Sequence, residues 1–246
     1  MAFMRTSNPA LKEDTFQGYA GVEQVMTLDG TVNRCGLLLL ITVLAAGWSW
    51  RVFATQGVEA TAPYLWGGLL GGFVVALVTI FKKEWSAVTA PLYALLEGLC
   101  LGGLSAFFEA QFPGIVIQAV ALTFGTLFGL LMAYKSGLIR ATENFKLGVV
   151  AATGGIALIY IATIGLGFFG MQVPYIHESG AIGIGFSLFV VVIAALNLVL
   201  DFDFIESGVE AKAPRFMEWY AAFGLLVTLI WLYLEILRLL AKMRRR

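Results

Sequence analysis

Acidic side chains set inside or at the ends of long apolar runs are the residues of this 246-residue chain best suited to chemistry. Glu97 sits in LYALLEGLCLGG, Asp201 and Asp203 close LNLVLDFDFIE, and Glu235 lies in LIWLYLEILRLL three positions before Arg238. A charge at membrane depth costs about 3 kcal/mol or more, so such residues face a bundle interior or a wet cavity and mark ion or proton paths. Two carboxylates on one water-accessible path can share a proton or hold a hard cation through oxygen ligands. Each position also has a plain structural reading. Glu97 can accept a hydrogen bond from a neighbouring helix. Asp203, Glu206 and Glu210 recur at helical spacing, as on the solvated face of a helix that continues past the membrane surface. Glu235 can pair with Arg238 one turn on and snorkel towards the headgroups.

Other chemistries find little to work with. The single histidine, His177, and the two cysteines, Cys35 and Cys100, offer neither a metal-ligand spacing nor a disulfide framework. Ser105 follows Gly102 and Gly103, but no histidine lies in an apolar run to activate it as a nucleophile. The chain is therefore not expected to be an enzyme or to hold an organic cofactor. Sixteen basic and sixteen acidic residues leave a formal net charge of zero, so no broad basic field exists to recruit nucleic acid.

The elements that must position these carboxylates are membrane helices. Charged residues make up 13% of the chain and hydrophobic ones 59%, with a mean hydropathy of +0.86. Soluble domains carry roughly twice that share of charge. A helix needs about 20 mostly apolar residues to cross the hydrocarbon layer. Seven runs qualify: Cys35 to Phe53, Tyr64 to Phe81, Trp85 to Phe108, Pro113 to Tyr134, Leu147 to Gly170, Ala181 to Leu200 and Trp219 to Leu240. They are continuous rather than alternating, and about twice the length of a barrel strand. The expected fold class is an all-α integral membrane protein: a seven-transmembrane-helix bundle over residues 34–246, behind a polar tail of residues 1–33. That tail, with Thr6 to Pro9 followed by Lys12, Glu13 and Asp14, reads either as a disordered leader or as a segment packed under the bundle, and not as a cleaved signal peptide.

Basic residues orient the bundle. Arg5, Lys12 and Arg34 precede the first run, Lys82 and Lys83 follow the second, Lys135, Arg140 and Lys146 follow the fourth, and Lys212 and Arg215 follow the sixth. All fall on one face, which predicts a cytoplasmic amino terminus in the inner (plasma) membrane. Glu59, Glu109, His177 and Glu178 occupy the opposite loops, with Arg51 the cation near them. The group Arg238, Lys242, Arg244, Arg245 and Arg246 disagrees, since a seventh crossing carries it outside. Either the last run crosses despite its basic end, which we favour, or it returns as a re-entrant hairpin. Gly67 with Gly71, Gly68 with Gly72, Gly98 with Gly102 and Gly125 with Gly129 have helix-packing spacing. We read these pairs as contacts within one chain, and expect a monomer. Trp48, Trp50, Trp66, Trp85 and Trp219 form an interfacial aromatic belt.

At the carboxylates a family resemblance becomes visible. LVLDFDFIE, a loop and then LIWLYLEILRLL resemble the carboxyl-terminal signature of the Bax-inhibitor family, also called transmembrane Bax inhibitor motif proteins. SNPALKEDTF and MTLDGTVNR are similar to its bacterial, YccA-like subgroup. Asp201 matches the acid that ends the family's sixth helix, and Glu235 matches, as Glu for Asp, the acid of its seventh. The resemblance implies a seven-helix bundle with a central last helix and a passive, pH-sensitive calcium leak. In that reading Asp201 and Glu235 are sensor and gate, hydrogen-bonded in the closed state, and calcium is the transported or bound ion. Two departures stand out. Glu235 follows Asp201 by 34 positions, which is long for the family, and Tyr64 to Phe81 contains no acidic residue. With entry near Tyr220, Glu235 lies about 22 Å deep at 1.5 Å per residue, so contact requires the sixth helix to continue to about Glu210. A second function is implied by the same resemblance: a membrane interaction protein that restrains a membrane-bound protease through the polar tail without transport.

Overall fold

The computed structural model describes residues 24–168 and 180–245. Among them the regular structure is helical, apart from an isolated antiparallel bridge between Val25 and Pro214. The helices are α1 (Leu28–Phe81), α2 (Ser86–Gln111), α3 (Ile115–Lys135), α4 (Glu143–Phe168), α5 (Ala181–Glu210) and α6 (Met217–Arg244), with a single 3-10 turn at Lys83–Trp85 before α2. All six are long and apolar enough to cross a membrane, and α6 is the most buried of them.

α1 begins at Leu28, six residues before the boundary expected at residue 34. Thr27 is the physical reason. Its extended backbone and its Oγ1, which accepts from Gly30 N at 3.0 Å, cap the helix, so the polar stretch through Arg34 is already helical. The described part of the tail packs instead of trailing: Met26 N donates to Ala213 O at 2.6 Å and Arg215 N to Gln24 O at 3.0 Å. The tail residues before Gln24 lie outside the described residues, as do His177, Glu178, Gly170 and Arg246.

At 54 residues α1 would be about 81 Å long if straight, well over twice the hydrocarbon thickness. It is not straight, because Gly57 adopts φ 83° and ψ −172°, a conformation that a side chain would strain. Both halves pack on α2 through glycines. A Cβ on Gly98 would meet Thr42 and Ala45, and one on Gly102 would meet the Ala46 backbone, so numbering rises together on α2 and the first half of α1. A Cβ on Gly103 would meet Thr61, and one on Gly68 would meet Leu96 and Cys100, so numbering runs oppositely along the second half. The chain therefore folds back at Gly57. Of the small-residue pairs read from the sequence, Gly98 with Gly102 and Gly68 with Gly72 serve close packing. Gly67, Gly125 and Gly129 face open space, because helical spacing alone does not say which face meets a neighbour.

The described chain forms two compact units. The α1–α2 unit comprises residues 24–116 and 203–227; the α3–α4 unit comprises residues 117–168, 180–202 and 228–245. α5 continues to Glu210 and α6 is one uninterrupted helix of 28 residues, about 42 Å at the standard rise. A re-entrant hairpin needs a break that α6 does not have.

Candidate functional site

Two of the carboxylates in apolar runs, Asp201 and Glu235, lie on a polar seam in the α3–α4 unit. Thr228, Glu235 and Lys242 recur every seven residues on α6, a spacing that holds one face towards a neighbouring helix. Their relative exposures are 4%, 2% and 7%, so all three are withdrawn from the surface. On α5, Ser187, Val190, Ala194, Asn197 and Asp201 follow a three–four alternation and are likewise buried. Lys242 joins the two stripes: its Nζ donates to Ser187 Oγ at 2.9 Å and to Gly183 O at 3.1 Å.

Glu235 is held by two partners. Its Oε1 accepts from Tyr160 Oη of α4 at 2.9 Å and from Arg238 Nη1 at 2.8 Å. Arg238 also donates to Tyr160 Oη at 3.1 Å and lies over its ring, 5.6 Å from the centroid. Tyr160 packs edge-on against Phe186 of α5, which fixes the level of the cluster on that helix. The second oxygen of Glu235, Oε2, is buried and accepts no hydrogen bond among the described residues. Buried carboxylate oxygens without donors are rare and call for an explanation.

Asp201 occupies the same seam at another level. Trp231 packs against the cluster of Ile156, Val190 and Ile193, while Lys242 reaches Gly183 and Ser187, so Glu235 lies between those levels. Asp201 is eight residues beyond Ile193, about 12 Å further along α5. The carboxylate-to-carboxylate hydrogen bond expected for the closed state is therefore not what holds Glu235; Tyr160 and Arg238 take that place. α5 does continue to Glu210, as contact required, but the register of α6 carries Glu235 past Asp201. One turn before Asp201, Asn197 donates through Nδ2 to Thr153 Oγ1 of α4 at 2.9 Å and to Ile193 O at 2.8 Å.

The other acidic positions separate by role. Asp203 is half-buried, while Glu206 and Glu210 are exposed on the last turns of α5, which fits a solvated acidic face. Glu97 belongs to the α1–α2 unit. It accepts from Tyr93 Oη at 3.4 Å, lies against Gly72 of α1, and makes no ion pair among the described residues. Tyr93 in turn stacks edge-on with Phe223, 4.9 Å between centroids.

Glu218 has a structural role that sequence reasoning missed. At 2% exposure, it accepts from Thr27 N at 3.1 Å and Thr27 Oγ1 at 2.9 Å, and pairs with Arg34 Nε at 3.2 Å. The clue available in the sequence was a glutamate in the first turn of an apolar helix, and its partners lie more than 180 residues away. Lys242 appeared in the sequence only as part of a basic end, although its seven-residue spacing from Glu235 was legible.

Among the described residues no three His, Cys, Asp or Glu side chains converge to hold a metal ion. The seam offers separate oxygen groups spaced along its length, an arrangement suited to an ion or proton that moves between stations. A family model described as Bax inhibitor 1 like matches residues 8–245. Neither the curated proteins nor the solved structures compared with the chain gave a match. With a match over nearly its whole length, the chain belongs to the Bax inhibitor 1 like family.

Proposed function

We propose that this protein is a passive, pH-sensitive cation leak that passes calcium along the α5–α6 seam, with Asp201 and Glu235 as its acidic stations. The observation that carries this reading is Glu235 Oε2, a buried carboxylate oxygen without a donor among the described residues, on the seam that also buries Asp201. Carboxylates buried in apolar helices are costly, and for that reason such residues mark ion or proton paths. Glu235 is the gate in this account. While ionised it holds Arg238, and a proton on it dissolves that ion pair and frees both groups. The titratable or charged groups around it are Tyr160 on α4 and Arg238 on its own helix, with Lys242 one further turn along α6. Asp201 attracts the cation at the other level of the seam.

The topology that goes with this function has seven crossings. The fold-back at Gly57 supports it, since it divides α1 into two lengths each able to span the bilayer. The bundle sits in the inner membrane with its amino terminus cytoplasmic, a placement supported by Arg34, Lys82, Lys83, Lys135, Arg140, Lys146, Lys212 and Arg215 on one face. It acts as a monomer and catalyses no covalent step. The test is calcium entry into liposomes that hold the purified protein, with a calcium gradient as the driving force. Entry above that of protein-free liposomes is expected; equal entry would leave the restraint of a membrane-bound protease through the amino-terminal tail as the better reading.

A further inference from the structure

Lys242 is placed against three electrostatic preferences. It is buried in a helix of membrane length, its ammonium lies at the amino-terminal turn of α5, where the helix dipole is positive, and Arg238 bears on it with like charge. Favourable contributions include the bonds to Gly183 O and Ser187 Oγ and the attraction of Glu235. A carbonyl and a hydroxyl oxygen at about 3 Å from a positive charge are the ligands a permeating cation takes.

We propose that Lys242 is a tethered cation occupying an ion site at one end of the α5–α6 seam, and that its charge sets the preference of the leak between monovalent and divalent cations. This rests on the reading of the protein as a cation conduit. The repulsion between a fixed charge and a passing ion is proportional to the charge of the ion. Removing the ammonium therefore raises divalent flux by about the square of the factor by which it raises monovalent flux: where potassium flux rises about threefold, calcium flux rises about ninefold. A change that merely widened the seam would raise both by a similar factor.

Potassium and calcium fluxes are measured in the same liposomes for wild type, Lys242→Met, Lys242→Arg and Ser187→Ala. Lys242→Met keeps the length of the side chain without its charge and is expected to show the squared relation. Lys242→Arg keeps the charge and is expected to hold the wild-type ratio. Ser187→Ala removes the hydroxyl oxygen that Lys242 bonds and shifts the ratio in the direction of Lys242→Met by a smaller factor, which tests the site even where Lys242→Met fails to fold. If wild type conducts and these variants leave the calcium-to-potassium ratio unchanged, the assignment of Lys242 is wrong while the conduit stands. If neither wild type nor any folded variant conducts, the conduit fails and Lys242 with it. Conduction by Lys242→Met from a silent wild type supports the tethered ion.

Discussion

Glu218 is the residue whose removal should most loosen the α1–α2 unit. Glu218→Ala deletes the acceptor of Thr27 N and Thr27 Oγ1 and the partner of Arg34, with the carboxylate side chain 3% and the guanidinium side chain 22% exposed. Breaking a buried ion pair by removing one member costs about 3 to 5 kcal/mol. Because Arg34 retains some access to water and stacks on Trp219, 5.4 Å from the ring centroid, the lower end applies, about 3 kcal/mol. Glu218→Gln keeps an oxygen for Thr27 and loses only the charge, so about 1 kcal/mol is expected. The assay is equilibrium unfolding in mixed micelles of increasing dodecyl sulfate content, run as a double-mutant cycle with Arg34→Met. A coupling of about 1 to 2 kcal/mol between the two sites is expected. A loss below about 1 kcal/mol for Glu218→Ala, or additive single mutants, would refute the view that this cluster ties the start of α1 to the start of α6.

Three further outcomes follow from the geometry. Gly102→Ala should destabilise by about 2 kcal/mol, since its Cβ runs into the Ala46 backbone, whereas Gly125→Ala and Gly129→Ala face open space and should be neutral or stabilising in the same unfolding assay. Glu97→Gln should retain liposome calcium flux and most of its stability, because an amide oxygen still accepts from Tyr93; loss of flux in folded protein would place Glu97 on the path. A topology reporter fused after Arg246 should read outside the cytoplasm, and a cytoplasmic signal with a cytoplasmic amino terminus would contradict seven crossings.

Much of the fold was legible because the solvent imposes it. The seven apolar runs fall on six described helices: Cys35 to Phe53 and Tyr64 to Phe81 both lie within α1, and the others match to within a few residues at most ends, as with Trp85 to Phe108 against Ser86–Gln111. The misjudged start of α1 has a local cause: Thr27 caps the helix earlier than hydropathy suggests. The continuation of α5 to Glu210 was legible in the helical spacing of Asp203, Glu206 and Glu210, because helical hydrogen bonding does not stop at the membrane surface. The site was legible as residue types and not as partnerships. Glu235 and Arg238 are three positions apart and their pairing could be read from the spacing. Tyr160, 75 positions from Glu235, could not, since sequence says nothing of which helix faces which. The expected contact between Asp201 and Glu235 failed on register, which depends on how Lys242, Trp231 and Tyr160 seat α6 against its neighbours.

The central claim is tested most directly by calcium flux into reconstituted liposomes from about pH 5 to pH 8. Wild type, Asp201→Asn and Glu235→Gln are compared at matched protein content. The account predicts a pH-dependent flux in wild type and a flattened profile in Glu235→Gln, whose amide cannot exchange the proton that holds or frees Arg238. Asp201→Asn should lower calcium flux across the range while keeping the slope, since Asp201 already lies about 12 Å along α5 from Ile193 and Glu235 sits beyond Ile193 on the far side. Wild-type magnitude and wild-type pH profile in both variants would contradict it.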